Sequence, residues 1–255
     1  MIAPFAIPAD PSDIPVLPLR DLDLRFAPKP WAFAEERSDA IQSHFAELRR
    51  DMPALFNGRV LLMHEHTFEG GVLRGAYLET NFASFLAWRD WDFPDASMRN
   101  CFALGALRGS DGAFLMGVMG AHTANAGRVY FPGGTPDPSD VFDGKVDLEA
   151  SVVRELEEET GIGRDAYDLA PGWTAALAGP RIGMLKTLHA REPAAALRDR
   201  VRAHIAAEQE PELEDMRIVG GPHDLDDTMP PFIHAFLHHL WSTETAGLTK
   251  SGNTK

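Results

Sequence analysis

Apolar runs punctuated by glycine, proline and aspartate divide the chain into strands and helices. Glu35 to Arg50 reads as a helix, after which Asn57-Gly58 turns the chain into the strand VLLMHEH. A Gly70-Gly71 turn and VLRGAYLET complete a predicted hairpin. Phe82 to Trp91 reads as a short aromatic-rich helix, broken by Asp92-Phe93-Pro94-Asp95. CFALGALR and AFLMGVMG, separated by Ser110 to Gly112, predict a second hairpin, and Gly127 to Phe131 a further strand closed by Pro132-Gly133-Gly134. Thr135 to Lys145 is rich in Pro, Asp and Gly and is expected to be loop. A helix follows from the N-cap Asp147 to Thr160, with Gly161 at its C′ position. Ala194 to Glu208 and Phe232 to Trp241 are the remaining predicted helices.

Residues 1 to 32 contain seven of the 19 prolines, which predicts an extended lead-in more than a packed element. The expected layout is α/β. An N-terminal α+β region spans residues 1–97, serving as a substrate cover or dimerisation surface; a second domain spans 98–241, and a flexible tail 242–255. At roughly 150 residues per domain, 255 residues suffice for this.

Charge narrows the partners. With 24 basic and 38 acidic residues the net charge is −14, which argues against polymeric nucleic acid as a ligand, since that needs a basic stripe. The same field repels small phosphates unless metal ions intervene. The single cysteine, Cys101, excludes an internal disulfide or a multi-thiolate metal site; it fits a reducing compartment, and packing in a strand is its expected role. The segment MIAPFAIPADPSDIPVLP lacks a basic start and is broken by prolines, so neither a signal peptide nor a membrane span is expected, and the expected location is the cytoplasm.

The informative segment is Arg154-Glu155-Leu156-Glu157-Glu158-Glu159-Thr160-Gly161-Ile162. At about 100° per residue, Glu155, Glu158 and Glu159 share one helix face and Glu157 points away. Val152, Val153 and Leu156 occupy the adjoining arc, so this acidic face borders the buried stripe. Like charges at these spacings cost about 0.2–0.5 kcal/mol per pair in an isolated helix. A hard divalent cation taking oxygen ligands is the simplest compensation.

Preceded by a strand and a Pro-Gly-Gly turn, this helix resembles the Nudix hydrolase signature. The second half of that signature is Arg-Glu-apolar-any-Glu-Glu-any-Gly-apolar, and residues 154–162 match every specified position. The first half departs from it: Val146 stands where the family has a glutamate, and Asp140 where it has a glycine. If Gly133-Gly134 is the family's glycine pair, the loop holds an insertion of about six residues, with Gly144 turning the chain before the helix. Asp147, seven residues before Arg154, is the candidate to replace the missing glutamate as partner of that arginine.

The resemblance implies a Nudix-type αβα sandwich and metal-dependent hydrolysis of a diphosphate linkage in a nucleoside diphosphate joined to another group. Glu155, Glu158 and Glu159 would bind Mg²⁺ or Mn²⁺ with a backbone carbonyl of Gly133 or Gly134, Gly134 foremost, and Arg154 would orient the carboxylates. A further base or ligand is sought among Glu208, Glu210, Glu212 and Glu214, with Glu208 and Glu210 ranked first. Coenzyme A, ADP-ribose, NADH and UDP-sugars are the candidate substrates. Ala124 to Gly134 is similar to the strand before the box in coenzyme A diphosphatases, although their upstream Leu-Leu-Thr-x-Arg-Ser type signature is absent. The N-terminal part loosely resembles that of UDP-sugar hydrolases. The alternative function is a Nudix-fold module that binds a nucleotide derivative without cleaving it. The implied partners are a small nucleotide derivative and a second copy of the chain, with no membrane.

Other features carry blander readings. His64-Glu65-His66 lacks a third ligand and suits a surface strand. His234, His238 and His239 suit a partly exposed helix face, and Trp88 and Trp91 core packing before base stacking. Arg181, in Gly179-Pro180-Arg181, is a candidate for contact with substrate phosphate, against a surface ion pair.

Overall fold

The computed structural model describes residues 7–123 and 125–251. The lead-in holds β1 (Val16–Leu19) and β2 (Asp21–Phe26). Helices α1 (Ala32–Glu36) and α2 (Ser38–Asp51) precede the hairpin β3 (Arg59–Glu69) and β4 (Val72–Asn81), and α3 (Phe82–Asp90) follows it. The second hairpin is β5 (Asn100–Arg108) and β6 (Phe114–Met119). The short strands β7 (Val129–Tyr130), β8 (Gly133–Gly134), β9 (Val141–Phe142) and β10 (Lys145–Val146) lead into α4 (Leu148–Thr160). The chain continues through β11 (Tyr167–Leu169), β12 (Trp173–Ala178), β13 (Arg181–Ala190), α5 (Ala194–Ile205), β14 (Leu213–Val219) and α6 (Pro231–Ser251).

The larger, nine-stranded sheet runs β1-β12-β13-β5-β6-β14, with β11, β7 and β8 attached to β13, β6 and β5. At its centre β5 and β13 pair in parallel, from Asn100 opposite Arg181 to Arg108 opposite His189. Alternate residues of β5 enter different cores, because successive side chains of a strand point to opposite faces. Cys101, Ala103 and Leu107 pack with Val152 and Leu156 of α4 and Leu197 and Val201 of α5. Phe102, Leu104 and Ala106 pack with Phe232, Ile233 and Phe236 of α6. Helices therefore cover both faces, which makes an αβα sandwich. Cys101 is wholly buried in β5, as its packing role requires, and burial pushes its thiol up to about 12.

The second sheet runs β3-β4-β2-β10-β9. One face packs Leu62 and Leu78 against Trp88 and Trp31, so Trp88 is a core residue. The other face sends Leu61, Met63, Leu73 and Tyr77 into the core beneath α4. Met63 and Arg99 exchange backbone hydrogen bonds of 2.9 and 2.8 Å, and the Tyr77 hydroxyl donates to the Cys101 carbonyl at 3.0 Å.

Three expectations need correcting. The proline-rich lead-in is not unpaired: β1 forms an edge of the large sheet against β12, and β2 lies parallel to β4 in the second. An edge strand tolerates Pro18 because only one side of its backbone is paired. The segment 135–145 is not plain loop, since β9 and β10 form a hairpin that extends the second sheet through Lys145 opposite Arg25. Its turn residues Asp143 and Gly144 have φ of +49° and +74°, the positive values that an Asp-Gly hairpin turn requires. The chain does not fray at Ser242: α6 runs on to Ser251, and Glu244 pairs with Arg108 of β5. Residues 252–255 lie outside the described part. Strands β11 to β13 have no legible pattern in the sequence because β12 and β13 are largely buried on both faces and β11 is only three residues long. No helix among the described residues is long and apolar enough to cross a membrane.

Candidate active site

The site forms where α4 meets β8. The Asp147 carboxylate accepts 3.0 Å hydrogen bonds from the Glu149 and Ala150 amides, starting the helix, and Gly161 ends it at φ +66°. Gly133 of β8 lies so close to β5 that an added Cβ would meet the Ala103 carbonyl oxygen at 2.4 Å, and its φ of +125° is a glycine conformation. This close approach brings the Gly133 amide to the Glu159 carboxylate, to which it donates at 2.8 Å. Sequence placed Glu159 at the glycine corner; the geometry adds that the contact runs through the amide.

Arg154 has a different acidic partner from the expected one. Its Nη2 donates to Asp140 Oδ1 at 3.0 Å, and its Nη1 lies 2.8 Å from Glu155 and 3.1 Å from Glu158. Asp140, only 2% exposed, also accepts from Ser151 Oγ at 3.1 Å and from the Asp137 amide at 3.0 Å. Asp147 is occupied as the cap. The inserted segment thus replaces the missing glutamate with an aspartate that arrives on the 3-10 turn Pro138–Asp140, packed beside α4. Substituting Asp147 by Ala should therefore cost about 1 kcal/mol, the value of a helix cap, while kcat/KM is retained. Urea unfolding beside a rate measurement checks this, and a collapse of activity would restore Asp147 as the partner of Arg154.

The electrostatics set Glu159 apart. Burial raises its pKa well above the ordinary range; Glu212 adds to the rise, the Gly133 amide opposes it, and Glu155 and Glu158 add further. Burial also raises Glu155, against the pull of Arg154. Burial works against the charge of Arg154, yet the hydrogen bond to Asp140 and the charges of Glu155, Asp140 and Glu158 raise its pKa overall. Glu158 is exposed, and Glu157 points away, its carboxylate lying near Gly163. Among the described residues no three histidine, cysteine or acidic side chains stand gathered as a ready coordination shell. Arg154 draws Glu155 and Glu158 to itself while the Gly133 amide holds Glu159.

A cleft of about 1050 Å³ opens beside this corner, lined in part by Gly133, Gly134, Tyr130, Arg181, Glu210 and Glu212. Of the downstream acids, Glu208 is outside that lining and pairs with His204 at 3.1 Å, whereas Glu210 and Glu212 face the cleft. Burial raises Glu212, with His122 opposing. Its pairing with Glu159 is a product of folding, since 53 residues separate them and no local spacing signals it. Arg181 is no loop arginine: it opens β13, half-buried, over the Phe93 ring at 5.7 Å. The histidines singled out in the sequence, His64, His66, His234, His238 and His239, lie outside the lining of this cleft, whereas His122 is part of it. His64 Nε2 lies 3.1 Å from the Ala27 carbonyl, and His234 Nε2 3.0 Å from that of Asp226.

The NUDIX domain model matches residues 102–240, more than half of the chain. Among curated proteins there is no significant match. Solved structures with similarity include a Nudix hydrolase from M. smegmatis, RenU, at 17% identity and TM-score 0.37, covering 57% of this chain and 84% of that one. The MutT protein from Methanosarcina mazei Go1 is 20% identical with TM-score 0.39, covering 57% and 95%. A mutant form of the Bacillus subtilis pyrophosphohydrolase BsRppH is 14% identical with TM-score 0.35, covering 64% and 87%. By the match over residues 102–240, together with the acidic helix set against the glycine corner of an αβα sandwich, the chain belongs to the NUDIX domain family and is a diphosphate hydrolase of the Nudix type.

Proposed function

We propose that the protein cleaves the diphosphate linkage of a nucleoside diphosphate derivative with the help of Mg²⁺ or Mn²⁺. The observation that carries this reading is Glu159, a carboxylate only 9% exposed whose one hydrogen bond comes from an amide and whose neighbours Glu212, Glu155 and Glu158 are also acidic. Such a group is costly when charged and unpaired, and a hard divalent cation with oxygen ligands removes that cost. The donor set fits: Glu155, Glu158 and Glu159 offer carboxylate oxygens, and Gly133 and Gly134 offer carbonyls on the same corner. A cation bound there supplies positive charge to the diphosphate oxygens and makes the attacking water more acidic.

The protein's own groups do the rest. Arg154, anchored on Asp140, fixes Glu155 and Glu158 before substrate arrives, so little reorganisation remains for the reaction. Glu212 is the candidate base, because a raised carboxylate pKa brings proton acceptance closer to neutral pH. Its carboxylate takes the proton from water as the water oxygen bonds to phosphorus. The bond between that phosphorus and the bridging oxygen breaks, and two phosphate-terminated products leave.

The test is release of phosphate-terminated products from ADP-ribose, NADH, coenzyme A and UDP-glucose with Mg²⁺, beside the Glu158→Gln variant. At least one substrate should turn over in the wild type and be lost in the variant. Equal turnover in the variant would remove Glu158 from the site.

A further inference from the structure

The cleft beside the glycine corner also holds a group of positive charges that the hydrolytic reading does not use. Arg89 comes from the end of α3, Arg128 from the turn before β7 and Arg181 from the start of β13, and all three line the same cleft as Gly133 and Glu212. Arg181 has no hydrogen bond or carboxylate partner on its guanidinium among the described residues; it rests on the face of Phe93 at 5.7 Å. Arg128 gives its one described side-chain hydrogen bond to the Asp227 carbonyl, at 3.1 Å. Arg89 alone has a carboxylate, that of Asp90 at 2.7 Å. In a chain with 38 acidic residues, three arginines lining one cleft, only one of them paired with a carboxylate, stand out, although Glu210 and Glu212 line the same cleft.

Holding it together has a cost. Burial, then the charges of Arg89 and Arg128, pull the pKa of Arg181 below the usual value for arginine. Phe93 adds backbone strain: its φ is +55°, rare for an aromatic residue, and its ring packs edge-on against Trp88 at 4.8 Å. The contact thus joins the N-terminal helical layer to the large sheet and seats the platform on which Arg181 lies. Arginine forks are suited to phosphate oxygens, and a bound anion offsets both the desolvation and the mutual repulsion.

Resting on the hydrolytic reading for the rest of the substrate, we infer that Arg89, Arg128 and Arg181 form a second anion subsite, for a phosphate monoester that the substrate carries in addition to the diphosphate being cleaved. The cleft, at about 1050 Å³, has room for more than a diphosphate. The substrate class is accordingly a phosphorylated nucleoside diphosphate derivative, and the N-terminal region helps to select it by supplying Arg89 and Phe93.

Two measurements test this. Rates with Mg²⁺ are compared for coenzyme A against dephospho-coenzyme A and for NADPH against NADH, pairs that differ by one phosphate monoester. The phosphorylated member should be preferred about 10- to 100-fold in kcat/KM in at least one pair, the range of a charged hydrogen bond, and the ratio should fall towards one in Arg181→Ala and in the exposed-site variant Arg128→Ala. Equal losses for both members would mean that the arginines grip the shared diphosphate, and would overturn the subsite. Separately, calorimetry without divalent cation compares adenosine 3′,5′-bisphosphate with AMP. Tighter binding of the bisphosphate that is lost in both variants supports the subsite even where no substrate turns over, in which case only the hydrolytic reading falls. Equal affinity for the two nucleotides, with no preference in either pair, would overturn it.

Discussion

Glu159→Gln should lower kcat/KM about 100-fold or more, the scale seen when one preorganised charged group is removed from an active site, and should at the same time make the metal-free protein more heat-stable at neutral pH. Both effects have one cause. Burial and Glu212 raise the pKa of Glu159 in the fold, so the group favours folding while protonated, and that contribution is lost as pH rises through the raised value. Above the ordinary glutamate range the fold must either take up a proton at this side chain or bury its charge, a net burden in the absence of a cation. Glutamine keeps the shape and can still accept from the Gly133 amide, but it carries no charge. Thermal melts in chelator should show the variant above the wild type near pH 7, with the gap closing as pH falls to the ordinary glutamate range. A variant that melts lower at pH 7 and retains its rate would refute the assignment.

Asp140→Ala should give the largest loss of stability among substitutions around the site, about 2–4 kcal/mol. The removed carboxylate is 2% exposed and accepts from Arg154, Ser151 and the Asp137 amide. The upper end of the range for a broken buried ion pair is not reached because Arg154 remains one-third exposed and keeps Glu155 and Glu158. Activity should fall as well, since Arg154 loses the anchor that fixes the two glutamates. Urea denaturation of this variant beside Asp147→Ala separates the two aspartates: a clearly larger loss for Asp140 is expected. Equal losses near 1 kcal/mol would show that Asp140 is dispensable.

Local pattern was sufficient for the acidic helix. Its cap, its periodicity and its terminating glycine all lie within 15 residues, so Asp147, the shared face of Glu155, Glu158 and Glu159, and Gly161 were readable without any long-range contact. The hairpin β3–β4 and the aromatic helix α3 were readable for the same reason. What escaped were elements whose stability comes from a distant partner. Strand β1 holds together only against β12, more than 150 residues away, and its proline reads as a breaker unless the strand is known to be an edge. The β9–β10 hairpin carried a legible Asp-Gly turn, but its polar surroundings matched those of a loop.

The sequence by itself determined the family, through a run of residues whose spacing is fixed by one helix, and hence the chemistry the site is built for. Tertiary structure decided which aspartate holds Arg154, which downstream glutamate meets Glu159, and that Arg89, Arg128 and Arg181 face one cleft. Helical spacing is a property of the local backbone and can be read from neighbouring residues. The convergence of side chains from separate strands depends on sheet order and packing, which no short stretch of sequence encodes.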